Sequence, residues 1–213
     1  MSSGEIRLIM MARVPAYGRV KSRLARHVGK PRALQTHVEL LKKNVLVAAA
    51  AAESAGLMFE LHFAGDSAGD SPGPFFTALA RHSGASLVPQ GEGDIGDRML
   101  AAAQQQTGPS LIIGSDCGSM TKQYLLDAVN RLADAQVVLG TAEDGGYVLI
   151  GQKRGFPQLF QDITWGTDAV AAQTRVQAQQ AKLELVELAP LWDIDTVEDW
   201  RRYARVSRVA QLS

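Results

Sequence analysis

Short apolar runs alternate with amphipathic stretches along almost the whole chain, and that order leaves few folds open. Ile6 to Ala12 reads as a buried strand and residues 13–24 as the loop that follows it. Pro31 to Ala55 reads as one long helix. Leu34, Val38, Leu41, Val45 and Ala52 fall on one face, Pro31 suits its first turn, and Gly56 stops it. Strands are expected at 57–64, 86–89, 110–114, 137–140, 147–151 and 183–188. Helices are expected at 74–82, 95–106, 167–180, from 196 to about 206, and after the N-cap Thr121. Residues 65–74, rich in Gly, Asp, Ser and Pro, read as a loop. Strands separated by helices of this length predict an α/β fold, with a mostly parallel sheet covered by helices on both faces. With no internal repeat and no linker, residues 1-213 are expected to form a single domain.

Composition narrows the class further. Hydrophobic residues make up 46% of 213, and 22 Lys and Arg balance 22 Asp and Glu, a composition unlike that of a disordered chain. Cys117 is the only cysteine, which excludes an internal disulfide framework and a cysteine-based zinc site. No run approaches the roughly 20 apolar residues of a membrane helix. Met1 to Ala12 carries no signal-peptide pattern, because Glu5 and Arg7 interrupt it. A soluble, cytoplasmic protein is expected, with no membrane partner.

The balanced charge hides an asymmetry. Residues 1 to 45 hold ten Lys and Arg against Glu5 and Glu39, so the first fifth carries +8 and the remainder −8. Such a split suits a polyanionic small molecule held beside a carboxylate-bound metal, although a solvated basic face is the plainer alternative. Nucleic acid is not expected: Tyr17 is the only aromatic residue in the basic segment and the whole chain has no basic excess.

In sheets of this kind ligands sit beyond the carboxyl ends of the strands. Asp, Gly, Arg and Lys gather at four expected strand ends: 13–24, 114–117, 143–146 and 192–196. In the first, Gly18 permits close backbone approach to a phosphate chain, and Lys21 and Arg23 provide cations. The Walker pattern is absent, and a basic surface loop is the alternative. In the second, Asp116 follows a buried strand, placed to hold a hard divalent cation or merely to satisfy loop amides. In the third, Asp144, Gly145 and Gly146 make a ligand-facing or an ordinary tight turn. In the fourth, Asp193 and Asp195 point to one side if the segment is extended. With Asp116 they could hold Mg²⁺ or Mn²⁺, and like charges packed together favour a cation among them. Thr196 and Asp199 resemble a capping box, so Asp195 could instead only complement a helix N-terminus. Trp165-Gly166-Thr167-Asp168 and Gly91 to Arg98 read as packing or turn segments. The four histidines, His27, His37, His62 and His82, show no metal-ligand or catalytic spacing.

Taken in order, several short motifs carry a resemblance. They are Pro15, Gly18-Arg19-Val20-Lys21-Ser22-Arg23-Leu24, Gly93-Asp94-Ile95-Gly96-Asp97-Arg98-Met99, Gly114-Ser115-Asp116-Cys117, Ala142 to Tyr147, Trp165-Gly166-Thr167 and Asp193-Ile194-Asp195-Thr196. From about Ile6 to Tyr203 the chain resembles a bacterial family of uncharacterised proteins with the nucleotide-diphospho-sugar transferase (glycosyltransferase A, GT-A) fold. Its members are often labelled radical-SAM/selenodomain-associated transferases. It also looks similar to the 2-phospholactate guanylyltransferases and, more distantly, the molybdenum-cofactor guanylyltransferases.

The resemblance implies a three-layer α/β/α architecture and a metal-dependent transferase using a nucleotide or nucleotide-sugar and a small acceptor. It assigns Arg13, Pro15, Gly18, Lys21 and Arg23 to the nucleotide, with Lys21, Arg23 and Asp116 catalytic. Asp116, Asp193 and Asp195 would hold Mg²⁺ or Mn²⁺, and Asp144, Gly145, Gly146, Gly166 and Thr167 would line the acceptor side. The chain departs from the family pattern at Arg13 (usually Lys), Ser22 (usually Thr) and Gly118-Ser119 (usually Pro-Asp). The last departure leaves a second reading, a catalytically degenerate nucleotide-binding or regulatory protein of the same fold.

Overall fold

The computed structural model describes residues 5–65 and 71–210, so 66–70 of the expected loop lie outside the described residues. In chain order the elements are β1 (Arg7–Arg13), α1 (Ser22–Val28), α2 (Lys30–Ala55), β2 (Met58–Ala64), α3 (Gly73–Ser83), β3 (Ser86–Pro89) and α4 (Ile95–Gln104). There follow β4 (Ser110–Gly114), α5 (Lys122–Asp134), β5 (Val137–Ala142), β6 (Tyr147–Gln152), a 3-10 turn at Pro157–Phe160, α6 (Val170–Gln180), β7 (Leu185–Leu191) and α7 (Val197–Ala210).

The apolar runs form strands because both of their faces are covered. On one face Leu8, Met10 and Ala12 of β1 pack with Leu41, Val45 and Ala48 of α2, Phe76 of α3 and Leu125 of α5. On the other, Ile9 and Met11 meet Met99 and Ala103 of α4 and Ala171 and Ala178 of α6. The result is a three-layer α/β/α arrangement around one sheet of order β3-β2-β1-β4-β6-β5-β7. Every pairing is parallel except those of β6 with β4 and β5. The reversal has a simple cause. Residues 143–146 form a tight turn in which Ala142 N donates to Gly146 O at 2.9 Å, and so short a link cannot carry a crossover. The carboxyl ends of β1, β4, β5 and β7 and the start of β6 therefore share one edge of the sheet.

Three differences from the sequence reading have physical causes. Residues 22–28, loop as far as 24 and unassigned over 25–28 in that reading, are helical as α1, which begins at Lys21 with no side-chain cap and no acid in its first turn. None of the usual start signals is present. The buried stripe of α2 keeps the expected Leu41, Val45 and Ala52 and widens to take in Ala33, Thr36, His37, Leu40, Asn44, Ala48 and Ala51, while Leu34 and Val38 are only half-buried, because the covered face also takes small and polar side chains. The sixth helix starts at Val170 rather than Thr167, since Thr167 Oγ1 donates to Thr164 O at 2.7 Å and holds that residue in the preceding turn.

One ionic cluster lies inside the core. Arg7 donates to Glu60 Oε2 at 3.3 Å and to the carbonyls of Ala102 and Ala103 at 3.0 and 2.9 Å. His62 Nε2 lies 2.8 Å from the same carboxylate oxygen. Burial opposes ionisation of Glu60, but His62 and Arg7 outweigh it and hold the carboxyl below its ordinary range. Among the described residues, no helix is long and apolar enough to cross a membrane.

Candidate active site

The shared sheet edge opens into a cavity of about 710 Å³. Its floor is the ends of β1 and β4. The start of β6 forms one wall, and the loops after β4, β5 and β7 supply carboxylates. Arg13, Arg23, Asp116, Asp144, Gly146, Gly166, Thr167, Asp193 and Asp195 all line it. Pro15, Gly18, Lys21 and Gly145 do not.

The segment from 14 to 21 is shaped by its backbone. Gly18 has φ +72°, and a Cβ there would lie 3.2 Å from the Lys30 side chain. At Lys21 the chain adopts the left-handed conformation, φ 50° and ψ 47°, costly for a residue with a Cβ. That bend turns the Lys21 side chain inward, where Nζ sits 2.9 Å from Asp116 Oδ2 and the side chain is only 2% exposed. Lys21 is thus committed to Asp116 instead of facing the cavity. Arg23 stays at the surface, its guanidinium 3.3 Å from Asp195 Oδ2.

Asp116 receives two further contacts. Ser115 Oγ donates to Oδ1 at 3.4 Å, and His37 Nδ1 lies 3.7 Å from the same oxygen. The His37 Nε2–H donates to the Arg13 carbonyl at 3.0 Å, so Nδ1 can donate to Asp116 only in the imidazolium form. Burial opposes ionisation of Asp116, yet Lys21 and His37 hold its carboxyl well below the usual range. Asp193 behaves oppositely. Its burial, together with the negative charges of Asp116, Asp144 and Asp195 and despite Lys21, pushes it up to about 7.

The loops that carry these carboxylates are stitched together. Cys117 and Asp193 form an isolated antiparallel bridge, Gly118 N donates to Trp192 O at 3.1 Å, and Ile194 N donates to Asp116 O at 3.2 Å. A Cβ at Gly118 would lie 2.7 Å from the Trp192 ring, and Trp192 N donates to Ser119 Oγ at 3.2 Å. Gly118-Ser119 is therefore a packing solution that brings the two acidic loops side by side. Asn44 of α2, fully buried, donates to the carbonyls of Ser115 and Cys117 at 2.8 and 3.0 Å. Thr196 and Asp199 exchange the hydrogen bonds of a capping box, Asp199 N donating to Thr196 Oγ1 at 3.3 Å and Thr196 N to Asp199 Oδ2 at 2.8 Å. Asp195 is left facing the cavity. Gly145 acts through the backbone: with φ +89°, a Cβ there would stand 2.1 Å from the Asp168 carbonyl oxygen.

The sequence reading missed His37 and Asn44, whose one signal was polarity on an otherwise apolar helical stripe, and it took Trp165 for packing. Trp165 does pack, edge-on to Tyr147 with ring centroids 6.3 Å apart, and it also lines the cavity with Ile95, Arg98 and Met99. The donor set around Asp116, Asp193 and Asp195 is all hard carboxyl oxygen, which fits Mg²⁺ or Mn²⁺. The side chains are not gathered as a finished metal site. Among the described residues, no three His, Cys, Asp or Glu side chains stand at ligating separation. Two of the three carboxylates hold Lys21 and Arg23.

The chain has the nucleotide-diphospho-sugar transferase fold. A provisionally named nucleotide-diphospho-sugar transferase from Desulfovibrio desulfuricans G20 superposes with a TM-score of 0.81 at 26% identity, over 94% of this chain and 85% of the other. The inositol-1-phosphate CTP transferase of T. maritima gives 0.57 at 13% identity, over 98% of both chains. The Rv0371c protein of Mycobacterium tuberculosis H37Rv, in complex with manganese, gives 0.52 at 16%, over 93% of this chain and 97% of the other. The two more distant likenesses establish the fold alone. The chain belongs to the DUF2064 family, described as uncharacterized protein conserved in bacteria, whose pattern it matches over residues 32–167. No curated protein matches it.

Proposed function

We propose that the chain is a divalent-metal-dependent transferase that uses a nucleotide-activated donor, by nucleotidyl transfer from an NTP or glycosyl transfer from a nucleotide-sugar. The observation that carries this reading is that Arg13 and Arg23 share one cavity with Asp116, Asp193 and Asp195. Cations and carboxylates on one wall suit a polyphosphate with a dication beside it. Arg13 and Arg23 bind the phosphates and neutralise the leaving group, each guanidinium able to hold a phosphate by two bonds. Lys21 is a positioning residue that holds Asp116 in place. The acceptor enters over Asp144, Gly146, Gly166 and Thr167. In nucleotidyl transfer its oxygen attacks the α-phosphorus while the bond to pyrophosphate breaks. In glycosyl transfer it attacks the anomeric carbon while the bond to the nucleoside diphosphate breaks. Asp116, Asp193 and Asp195 would hold Mg²⁺ or Mn²⁺, which when bound supplies charge neutralisation on the diphosphate side.

Screening the purified chain against the common NTPs and UDP-, GDP-, ADP- and dTDP-sugars separates the two chemistries. Asp116→Ala is expected to abolish metal-dependent nucleotide binding, and unchanged Mn²⁺ affinity in that variant would reject the metal assignment. The closed Lys21–Asp116 pair supports a second reading, nucleotide binding without turnover. Turnover of any donor excludes it.

A further inference from the structure

The cavity has two chemically different halves. Arg13, Arg23 and the acidic loops form one. The other is built from α4, the start of β6 and the loop before α6, and it sets the apolar Ile95, Met99, Tyr147, Trp165 and Val170 beside Arg98, Thr167 and Asp168. Ile95, Arg98 and Met99 occupy positions i, i+3 and i+4 of α4 and so share one helical face, which lines the cavity. Trp165 and Tyr147 stand on the same cavity wall.

The structure fixes Trp165 through a missing side chain. A Cβ at Gly96 would lie 2.4 Å from the indole ring, so only glycine lets the ring lie against α4. Half-buried and held on one side, the ring is a preformed surface. Beyond it Gly166 has φ +79° and open space where a Cβ would stand, which leaves the mouth of this half clear. Ile95 is 40% exposed, an apolar side chain at the cavity wall. Burial alone raises the Tyr147 phenol above its ordinary range, so the ring stays neutral, and its hydroxyl lies 3.8 Å from Met99 Sδ.

Arg98 is the cation of this half. Its Nε donates to Gly93 O at 3.0 Å, which orients the guanidinium. Among the described residues its two terminal nitrogens meet no protein acceptor, and they are free to hold an anion by two parallel bonds.

We propose that this half is the subsite of the second substrate, and that it takes a small molecule with an apolar, ring-bearing body and a terminal phosphate or carboxylate. The body lies against Trp165, Tyr147 and Ile95, and the anion lies on Arg98. The assignment deepens the transferase reading above and rests on it for the role of second substrate.

Calorimetric titration of the full chain with phenyl phosphate, inorganic phosphate and glucose 1-phosphate tests it. Phenyl phosphate is expected to bind at least tenfold more tightly than either of the others, and a saturating NTP is expected not to displace it. Arg98→Gln and Ile95→Glu, both at accessible positions, should each weaken phenyl phosphate at least tenfold and leave NTP affinity unchanged. Trp165→Phe should weaken it less than Trp165→Ala, with folding of both checked by thermal denaturation. Equal affinity for phenyl and inorganic phosphate, tighter binding of glucose 1-phosphate, or displacement by NTP would each overturn the subsite. So would undiminished binding by Arg98→Gln and Ile95→Glu. A chain that takes phenyl phosphate but no nucleotide leaves the ring-and-anion site standing and fails the transferase reading. One that takes nucleotide and shows no preference for phenyl phosphate fails the subsite alone.

Discussion

Arg7, Glu60 and His62 put two opposite charges and an imidazole into an otherwise apolar layer, where each depends on the others. Arg7 is 1% exposed, so removing its carboxylate partner leaves a guanidinium with only two carbonyls for company. Glu60→Gln is expected to cost about 3 kcal/mol in urea denaturation at neutral pH. A loss under about 1 kcal/mol would mean that the carbonyls alone satisfy Arg7. The acid limb gives a second readout. The Glu60 carboxyl titrates below its ordinary 4.5 when folded, so its stabilisation is present above that value and is lost as pH falls through the lowered one. The variant should show a shallower loss of stability than the parent over that window. Little of this was legible in the sequence, because the Arg7–Glu60 contact spans 53 positions. The cavity carboxylates were easier. Asp116, Asp193 and Asp195 lie next to strand ends, and strand ends are where such a sheet puts its ligands. Lys21 was half legible: its charge was plain, but the left-handed bend that aims it at Asp116 was not.

Among the elements, strands were read most accurately. Those at 86–89 and 110–114 match to the residue, since continuous apolar runs of that length bounded by Gly or Pro have few alternatives. Short, uncapped α1 was missed for the converse reason. Two glycines test how tightly neighbouring elements are joined. Gly145 and Gly166 both hold positive φ, +89° and +79°, but a Cβ at Gly145 would meet the Asp168 backbone while one at Gly166 would meet nothing. Gly166→Ala should therefore cost only backbone strain, about 1 kcal/mol. Gly145→Ala adds overpacking against the turn that leads into α6, for a total of about 3 kcal/mol. Equal losses in chemical denaturation would show that the turn relaxes freely. The family resemblance implies that both glycines line the acceptor side. Gly166 lines the cavity, whereas Gly145 ties β5 and α6 together, a distinction that only the packing reveals.

At the scale of the whole molecule, the charge asymmetry along the chain becomes an asymmetry across a cavity. Arg13 and Arg23 come from the basic first fifth, and Asp116, Asp193 and Asp195 from the acidic remainder. Burial first, and then the negative charges of Asp116, Asp144 and Asp195, push Asp193 up to about 7, so the carboxylates add to one another's energy. A bound dication relieves that repulsion, and a polyphosphate satisfies the arginines, so each ligand should improve the site for the other. Positive coupling in thermal denaturation follows. A nucleotide at about 100 times its Kd contributes about 2.7 kcal/mol, or roughly 5–10 °C for a chain of this size. NTP with Mn²⁺ is expected to raise Tm by more than the sum of the separate shifts. Asp193→Asn should abolish the excess and keep the shift from NTP alone, while Arg13→Gln should reduce the shift from NTP alone. Raising ionic strength should shrink the NTP shift of the parent, because on the proposed reading the arginines would meet the phosphates in a solvent-accessible cavity. Additive shifts would separate the metal from the nucleotide. The absence of any shift with NTPs and nucleotide-sugars at millimolar concentration would remove the polyphosphate from the cavity altogether.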